Sequence, residues 1–431
     1  MVLDTGKHQA ILPLAARDRP PQTEIDIEAI IRDGRLTARF QPIVSVAQRS
    51  ICGVEGLIRG VNPDSADLIS PLELFHTAMN QGLQVELDRA CRDTIVRTFE
   101  PVYRCRKDTL LFINLHSSIL DKVAGSNHLL DMVQEYRINP CDIVIEFNES
   151  AVEDMALLKK FVDTYRQYGF LIAMDDVGCG FSNLSRISLV KPDIVKTDMS
   201  LTRNICTDFY VQEVFRALVK LSNKIGALVV AEGVETEDEA VQILGLGAHM
   251  IQGYYISRPQ KIEDTLSGDL GDKLGDVVER LKIMEKYKTV LNKEKYSTLN
   301  LATTKIAARL STVSRDRFDE ELANSINGYE GIECAYVLDE RGVQASATVF
   351  SNAVTGIKKS RLFSPAASGA DHSLKVYYRN LKNAGLQRYL TEPYASLASG
   401  NLCRTFTRTF LDRRDEPHIL CIDFKINGTE C

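Results

Sequence analysis

The most constraining feature of this sequence is a series of short apolar runs that each end, on the C-terminal side, in a carboxylate, an amide or a lysine. The polar residues that follow these runs are Glu55, Asn114, Glu146, Asp175, Asp176, Lys196, Asp198, Glu232 and Gln252. In a β/α barrel the C-terminal ends of the strands carry the chemistry, whereas the rest of each strand serves packing. The pattern therefore predicts a ring of polar side chains at one end of a barrel. So much acid at one face calls for a divalent cation.

Length, charge and cysteine usage narrow the class of protein. The chain has 431 residues, so a barrel of about 250 residues would occupy just over half of it. Its net charge of −6 argues against a DNA or RNA polymer as a partner, because such a surface normally needs a basic patch. No stretch approaches the roughly 20 apolar residues of a membrane helix, and no secretory pattern is present. The scattered cysteines, without a CxxC pair, fit a reduced compartment, so the sequence predicts a cytoplasmic protein with no membrane segment.

Strand-like and helix-like segments alternate through the first part of the chain. Apolar runs typical of strands occupy residues 37–44, 51–58, 110–115, 142–147, 170–175, 193–197, 227–231 and 249–255. Amphipathic helical segments lie between most of them, which favours a closed barrel over an open doubly wound sheet. The first two runs lack a full helix between them, so we expect that pair to be antiparallel. The sequence thus predicts an α/β fold, a modified TIM-like (β/α)8 barrel over residues 23–262, after a flexible leader at residues 1–22.

The character of the sequence changes after Pro259. Apolar residues recur at three- and four-residue steps among many charges from Leu274 to Leu291, which predicts an amphipathic helix. We expect a helical connector over residues 263–328, which either packs on a neighbouring domain or acts as a dimerising or signalling element. Strand and turn patterns then dominate residues 329–431, among them a strand from Gln344 to Phe350, and predict a small α+β domain of a sensor type.

The polar ring favours two divalent cations of the hard class. Oxygen ligands without histidine select Mg²⁺ or Mn²⁺ over zinc. In the adjacent pair Asp175 and Asp176, one carboxylate can bridge two metals while its neighbour serves the second. Two metals about 3.5–4 Å apart stabilise the attacking and leaving oxygens of an in-line phosphoryl displacement. A lysine at such a site, here Lys196, can orient or deprotonate the attacking water and offset charge in the transition state.

These residues occur in an ordered set of short motifs that resembles the EAL domain family. The motifs are Gln41-Pro42-Ile43-Val44, Glu55-Gly56-Leu57-Ile58-Arg59, Asn114, Glu146-Phe147-Asn148-Glu149, Asp175-Asp176-Val177-Gly178-Cys179-Gly180, Lys196-Thr197-Asp198 and Glu232-Gly233-Val234-Glu235-Thr236. The resemblance covers residues 24–262. It implies the activity of that family, which is metal-dependent hydrolysis of the bacterial messenger cyclic di-GMP to the linear dinucleotide pGpG.

The resemblance also implies a role for each residue at a motif position. The first metal is expected at Glu55, Asn114, Glu146 and Asp175, and the second at Asp175, Asp176 and Glu232. The expected catalytic residues are Lys196, which contacts the nucleophilic water, together with Asp198, Glu232 and Glu235, the last as a support for the loop after Asp176. The expected substrate-binding residues are Gln41 near a guanine, Arg59 at a phosphate, and Gln252, which helps to order the site.

The chain departs from the family pattern outside the ligand positions. The signature Glu-Ala-Leu reads Glu55-Gly56-Leu57, and the usual Asp-Phe-Gly-Thr-Gly loop reads Asp176-Val177-Gly178-Cys179-Gly180. That loop links substrate binding to dimerisation in the family, so its changes bear on regulation more than on chemistry. Every ligand position is kept, which favours an enzyme over the alternative, a catalytically silent cyclic di-GMP receptor that signals through the connector helix and the dimer. A pure scaffold is a third possibility.

The C-terminal segment resembles PAS-like and Cache-like sensor domains. The resemblance rests on residues 371–378, on Thr391-Glu392-Pro393-Tyr394 and on Ser399-Gly400-Asn401. It implies a small-molecule ligand and, with the barrel, a regulated homodimer. Tyr378, Arg379, Tyr394 and Asp423 either line a ligand pocket or fill the core of a small fold.

Overall fold

The computed structural model describes residues 25–62, 67–115, 127–148, 154–178, 184–268, 270–356, 360 and 362–426. The chain divides into two compact units between Ile283 and Met284. The predicted leader lies outside the described residues, as do Cys179 and Gly180 of the loop after Asp176. The predicted limits of the barrel, connector and sensory domain stay predictions.

Within the described residues, the first unit contains a nine-stranded sheet that closes on itself. The strands are β1 (Leu36–Ser45), β2 (Ser50–Val61), β3 (Leu68–Ile69), β4 (Leu110–Leu115), β5 (Ile143–Asn148), β6 (Leu171–Val177), β7 (Ile194–Thr197), β8 (Leu228–Ala231) and β9 (Met250–Ile251). Their order is β1-β9-β8-β7-β6-β5-β4-β2, and the pairing of β2 with β1 closes the ring, with β3 added beside β2. Strand β1 is antiparallel to both of its neighbours, the ring pairs from β2 to β4 and on to β9 are parallel, and β3 is antiparallel to β2. The predicted barrel and its antiparallel first pair are confirmed.

Helices surround this ring, and local sequence signals set their ends. They are α1 (Ile27–Arg32), α2 (Pro71–Gln81), α3 (Gln84–Tyr103), α4 (His128–Glu135), α5 (Met155–Gln167), α6 (Leu184–Val190), α7 (Phe209–Ile225), α8 (Glu237–Gly245) and α9 (Ile262–Ser267). Helix α2 begins with a capping box between Ser70 and Glu73, and it ends at Gly82 in the left-handed conformation. Helix α8, which follows the β8 end of the barrel, begins with a second capping box between Thr236 and Glu239.

A layer of apolar side chains lies inside the barrel beneath the polar ring. It consists of Ile43, Phe112, Val144, Ala173, Ile194, Val230 and Met250. From β4 onward, each of these residues lies two positions before a polar residue of the ring, and Ile43 of β1 lies two positions after Gln41. Because side chains two apart on a strand share a face, the same face that packs the interior presents the polar groups at its end. The packing is close: a Cβ at Gly53 would lie 2.5 Å from Phe112.

The second unit contains a separate antiparallel sheet with helices. Its elements are α10 (Gly271–Leu310), whose residues from Met284 belong to this unit, α11 (Phe318–Ile326), β10 (Ile332–Asp339), β11 (Val349–Phe350), α12 (Val376–Asn383), β12 (Arg388–Leu390), β13 (Tyr394–Ala395), β14 (Leu402–Leu411) and β15 (Pro417–Lys425). The strand order is β11-β10-β15-β14-β12, with β13 paired to β14. Buried residues of α10 and α11, among them Ile306 and Leu322, pack with Phe406 and Leu420 of the sheet.

Two expectations for this unit are refined by the structure. The predicted strand from Gln344 to Phe350 shrinks to Val349–Phe350, because the Gln344 side chain donates to the Ser346 carbonyl and to Thr348 and bends the segment. Asp423 is buried and accepts hydrogen bonds from Thr405 Oγ1 at 2.8 Å and Ser396 Oγ at 2.9 Å. Asp423 therefore matches the core-filling alternative.

No helix in the described parts of the chain is both long and apolar enough to cross a bilayer.

Candidate active site

The C-terminal ends of the barrel strands bring the predicted residues into one cluster. Glu55 lies on β2, Asn114 on β4, Glu146 on β5, Asp175 and Asp176 on β6, Lys196 on β7, and Glu232 and Gln252 directly after β8 and β9. A cavity of about 320 Å³ opens over this cluster. Eight of the predicted residues line it, namely Gln41, Glu55, Asp175, Asp176, Asp198, Glu232, Glu235 and Gln252.

Lys196 lies at the centre of the cluster and is fully buried. Its Nζ is 2.6 Å from Glu146 Oε1 and 2.6 Å from Glu232 Oε1. The same atom is 3.3 Å from Glu55 Oε2 and 3.3 Å from Asp175 Oδ1. Burial alone would lower the pKa of Lys196, but the four carboxylates outweigh it and raise that pKa well above the usual value. Lys196 is therefore an ammonium group.

The carboxyl groups around Lys196 differ in their ionisation. Burial raises the pKa of Glu146 well above its usual range, and the Glu55 and Asp175 carboxylates add to this effect. Burial likewise raises the pKa of Glu232, against the opposing charge of Lys196. Burial also acts on Glu55, but Lys196 and hydrogen bonds from neighbouring amides hold its pKa below the usual value. Without cations, the cluster thus favours the uptake of protons by Glu146 and Glu232, and divalent cations that displace these protons can supply the compensating positive charge instead.

Two amide side chains hold Glu55 in place. Asn114 Nδ2 donates to Glu55 Oε1 at 2.9 Å, and Gln252 Nε2 donates to Glu55 Oε2 at 2.7 Å. Gln252 also donates to Gln41 Oε1 at 3.2 Å, and Gln41 Nε2 donates to the Ser257 carbonyl at 3.0 Å. These hydrogen bonds fix the orientation of the Glu55 carboxylate. The side-chain carbonyl oxygen of Asn114 takes no part in them and can bind a cation.

A bulge in β6 brings two adjacent aspartates into the same site. Neighbouring residues of a regular strand point to opposite faces. Here the pairing of β6 with β7 shifts register between Met174 and Val177, and Asp176 adopts a φ of 56°. As a result, oxygens of Asp175, Asp176 and Glu232 lie within 4.8 Å of one another. Such a left-handed conformation is uncommon outside glycine, and aspartate tolerates it better than most residues.

The donor set fits hard divalent cations. The first predicted group, around Glu55, Asn114 and Glu146, supplies only oxygen ligands, as does the group of Asp175, Asp176 and Glu232. Glu146 Oε2 is buried and has no hydrogen-bond partner in the described portion of the chain. An orphaned buried carboxylate oxygen is costly unless a cation or a donor satisfies it. The residues present therefore fit the predicted metals.

The loops after β8 and β9 fit tightly against each other. Val234 N donates to the Gln252 carbonyl at 3.1 Å, and Tyr255 N donates to the Val234 carbonyl at 2.9 Å. A Cβ at Gly253 would lie 2.1 Å from the Val234 carbonyl oxygen, so this contact requires glycine. The contact fixes Gln252 relative to Glu232, although these residues come from different strands.

The remaining predicted residues take different positions. Asp198 lines the cavity and also caps a short 3₁₀ helix, accepting from Ser200 N at 2.9 Å. Glu235 lines the cavity, but the loop that it is predicted to support includes residues outside the described ranges. Arg59 donates to the Ile58 carbonyl at 2.7 Å and is not among the described residues that line the cavity. Its contact with a phosphate stays a prediction.

Sequence reasoning missed an aromatic residue at the cavity. Tyr254 lines the cavity and is 52% exposed, and the Arg258 guanidinium carbon lies 4.2 Å from the centre of its ring. The available signal was the i, i+4 spacing of an aromatic residue and an arginine, which begins two residues after Gln252. An exposed aromatic face at a cavity rim is suited to stacking on a planar ligand ring.

Comparisons with known proteins match this architecture. The family model of the EAL domain matches residues 26–259. An uncharacterized signaling protein of Caulobacter vibrioides is 30% identical over 57% of this chain and 30% of its own length. The cyclic di-GMP phosphodiesterase NbdA of Pseudomonas aeruginosa is 26% identical over 55% of this chain and 30% of its length. The chain thus spans less than a third of either relative.

A third relative matches almost end to end. The EAL-domain-containing protein YkuI of Bacillus subtilis is 25% identical over 85% of this chain and 90% of its own length. Its crystal structure, in complex with the substrate c-di-GMP and calcium, superimposes with a TM-score of 0.75 at 23% identity. The superposition covers 94% of this chain and 100% of that one, and at this identity it shows a shared fold.

Proposed function

Because the chain belongs to the EAL domain family, we propose that it is a metal-dependent phosphodiesterase that hydrolyses cyclic di-GMP to linear pGpG. The observation that carries the proposal is the complete set of oxygen donors around the buried Lys196 ammonium, at the floor of a cavity. Relatives that share the family bear the name cyclic di-GMP phosphodiesterase, or were crystallised with c-di-GMP. A binding protein alone would not require this excess of buried carboxylates.

We place two divalent cations, Mg²⁺ or Mn²⁺, in this site. Glu55, Asn114, Glu146 and Asp175 would hold one cation, and Asp175, Asp176 and Glu232 the other. Bound there, the cations supply positive charge that lowers the pKa of water and offsets the charge developing on the phosphoryl oxygens. Calcium accompanies the nucleotide in the crystal structure of YkuI, which supports an oxygen-ligand site for hard cations.

The residues of the chain then bind and orient the reacting groups. Water adds to one phosphorus of the ring, and the bond from that phosphorus to the ribose 3′ oxygen breaks, so the 3′ oxygen leaves and takes up a proton. Lys196 Nζ donates hydrogen bonds at the centre of the site, where negative charge rises in the transition state. Gln252 and Asn114 keep the Glu55 carboxylate in one orientation. Tyr254 offers its exposed ring to a guanine base.

The wider setting of the activity is also a proposal. We propose that the chain acts in the cytoplasm, since its cysteine usage fits a reducing compartment, and that it forms a homodimer, as the resemblance to the family implies. The second unit would then serve as the sensory domain that adjusts the rate, with a small molecule as its ligand.

The decisive experiment follows conversion of cyclic di-GMP to pGpG by the purified full chain with Mg²⁺ or Mn²⁺. The wild type is compared with Glu55→Gln, which keeps the size of the side chain and removes its charge, and with Glu135→Gln, an exposed glutamate on α4. We expect turnover by the wild type and by Glu135→Gln, and loss of turnover in Glu55→Gln and in EDTA.

The same assay separates an enzyme from a receptor. Tight binding of labelled cyclic di-GMP with no turnover in either metal would mean that the chain is a catalytically silent receptor and not an enzyme. Turnover that persists in EDTA would exclude the metal-dependent mechanism. If cyclic di-GMP does not bind at all, the third possibility, a protein that serves only as a scaffold, would be favoured.

A further inference from the structure

A second group of potential metal donors lies at the tip of the β14–β15 hairpin, in the second unit. The turn from Asp412 to Glu416 is built on the Asp412 side chain, whose Oδ1 accepts from Arg414 N at 2.7 Å and from Glu416 N at 2.9 Å. Asp412 N donates to the Glu416 carbonyl at 3.0 Å, and Asp415 adopts a φ of 59°. One oxygen of Asp412 thus shapes the turn. The other, Oδ2, is buried and has no hydrogen-bond partner in the described chain.

His418 lies beside this oxygen on β15. Its side chain is 3% exposed and packs between Phe318, with ring centres 5.0 Å apart, and Phe410, with ring centres 5.7 Å apart. Neither ring nitrogen has a hydrogen-bond partner by strict geometry among the described residues, although the backbone of Leu338 lies close to the ring. Burial lowers the pKa of His418, although Asp412 opposes this effect. A buried neutral imidazole with two unsatisfied nitrogens is costly, and it has a lone pair to offer.

A third donor completes the group. Glu416 is exposed at the end of the turn, and donor atoms of Asp412, Glu416 and His418 all lie within 4.8 Å of one another. We propose that these three residues form a binding site for a divalent transition metal of the zinc class, separate from the oxygen-only site of the barrel.

The donor chemistry selects the class of metal. Imidazole nitrogen favours zinc and its neighbours, whereas the barrel donors are oxygens only and favour Mg²⁺ or Mn²⁺. Zinc takes carboxylate oxygens at about 2.0–2.2 Å and histidine nitrogen at about 2.0–2.1 Å, and Glu416, whose side chain is exposed, can adjust its position to the ion. Three protein ligands leave the fourth position to water or to an exogenous ligand. The two carboxylates balance the charge of the ion.

The competing explanation is a protonated His418 paired with Asp412. Their nearest atoms, Nε2 and Oδ2, are 3.8 Å apart, which is too far for a hydrogen bond. An ion pair would therefore leave Nε2 and Asp412 Oδ2 unsatisfied, while a metal ion between them satisfies both atoms.

The test uses the full chain labelled with ¹⁵N-histidine, titrated with Zn²⁺ in excess Mg²⁺. The barrel site has no predicted histidine ligand, so a zinc-induced shift of an imidazole nitrogen does not come from that site, and comparison with His418→Gln separates the hairpin from the other histidines. Of the seven histidines, we expect one to shift with one equivalent of zinc, and that signal to be absent in His418→Gln. Because His418 is buried, that variant serves for assignment only.

The surface turn supplies the matched pair of variants. Glu416→Gln and Asp415→Asn each remove one negative charge from an exposed position of the same turn. We expect Glu416→Gln to need at least about tenfold more zinc for the same shift, and Asp415→Asn to match the wild type. The proposal is overturned if no imidazole nitrogen shifts, if the two variants respond equally to zinc, or if His418 shows an imidazolium signal that zinc does not change.

Discussion

Lys196 shows how one residue determines the charge of the whole site. It is a single buried cation in contact with four carboxylates. Taking these charges out of water carries a large desolvation cost, which the ion pairs offset only while all partners are present. The remaining excess of negative charge provides the affinity for divalent cations.

The substitution Lys196→Met tests this balance. Methionine keeps an unbranched stem and removes the charge, so four carboxylates lose their counter-ion. We expect the hydrolysis rate to fall by about 10²-fold or more, and the free energy of unfolding in EDTA to fall by about 3–5 kcal/mol. Saturating Mg²⁺ or Mn²⁺ should recover part of that loss, so the melting temperature should rise more on adding metal than it does for the wild type.

Thermal unfolding with and without metal provides the measurement. Lys220→Met, at an exposed position on α7, is the control. Equal metal-induced gains in melting temperature for wild type and Lys196→Met would contradict this account.

At the scale of single residues, the sequence predicted which residues form the site better than it predicted how their side chains are oriented. The strand-end pattern located Glu146 and Lys196, because period-two alternation places them on the interior face. It could not show that Asn114 and Gln252 both bond to Glu55, since the first contact depends on the pairing of β2 with β4 and the second on the closure of the ring through β1. It also missed Tyr254, because an isolated aromatic after a strand is as often a packing residue as a ligand contact.

Among the elements, the pairing of β14 with β15 places a buried carboxylate between strands. Asp423 of β15 accepts from Thr405 of β14, and from Ser396, which follows β13. Burial raises the pKa of Asp423, more than these hydrogen bonds lower it. The folded unit therefore favours the protonated carboxyl group.

This arrangement makes the stability of the second unit depend on pH. A carboxyl group whose pKa in the folded protein lies above its unfolded value of about 3.8 contributes its full stabilisation at pH values below the unfolded value. This stabilisation is lost as the pH rises through the folded pKa. Asp423→Asn keeps an acceptor without the charge. We expect its stability relative to the wild type to improve with rising pH, by about 1.4 kcal/mol for each unit of the pKa shift.

Urea denaturation followed by circular dichroism at several pH values above 4 measures the difference. Glu392→Gln, an exposed carboxylate of the same unit, should show no such trend. A constant difference between Asp423→Asn and wild type across the pH range would show that Asp423 is not the source.

Element boundaries were predictable where the hydrophobic period was regular. The strands of the barrel from β1 to β8 other than the short β3 and the long helix α10 follow from periodicity, as does α11, whereas the predicted strand over residues 249–255 contains only the two residues of β9. The bulge in β6 was not predictable, because nothing in the sequence around Asp175 and Asp176 distinguishes a register shift from a regular strand. The predicted strand from Gln344 to Phe350 is longer than the observed two-residue strand β11, because side-chain hydrogen bonds of Gln344 take the place of hydrogen bonds between strands.

For the molecule as a whole, an apolar stripe on α10 bears on assembly. Tyr287 is 63% exposed, Val290 46% and Leu301 55%. At 100° per residue these positions fall within one narrow arc of the helix. Under the proposed homodimer, this stripe pairs with the same stripe of a second copy.

The substitution Tyr287→Glu should weaken that dimer. A charge placed twice in a symmetric apolar contact is expected to raise the dimer dissociation constant by at least about tenfold. Thr289→Glu, an exposed position on the opposite side of the helix, adds the same charge and should leave association unchanged. Analytical ultracentrifugation over a range of protein concentrations measures the dimer dissociation constant of each variant. Equal dissociation constants for the two variants would exclude the stripe as the interface.

The barrel closes between strands that come from opposite ends of the unit. Gln252, beyond β9, bonds to Glu55 on β2 across 197 residues of sequence, and Gln260 pairs with Phe40 of β1. During synthesis, the earlier part of the site emerges first and cannot be completed until the last strand and its loop leave the ribosome. Under the proposed function, a nascent chain therefore gains activity only after Gln252 and Gln260 have left the ribosome, and the first turnover marks the moment at which the ring has closed.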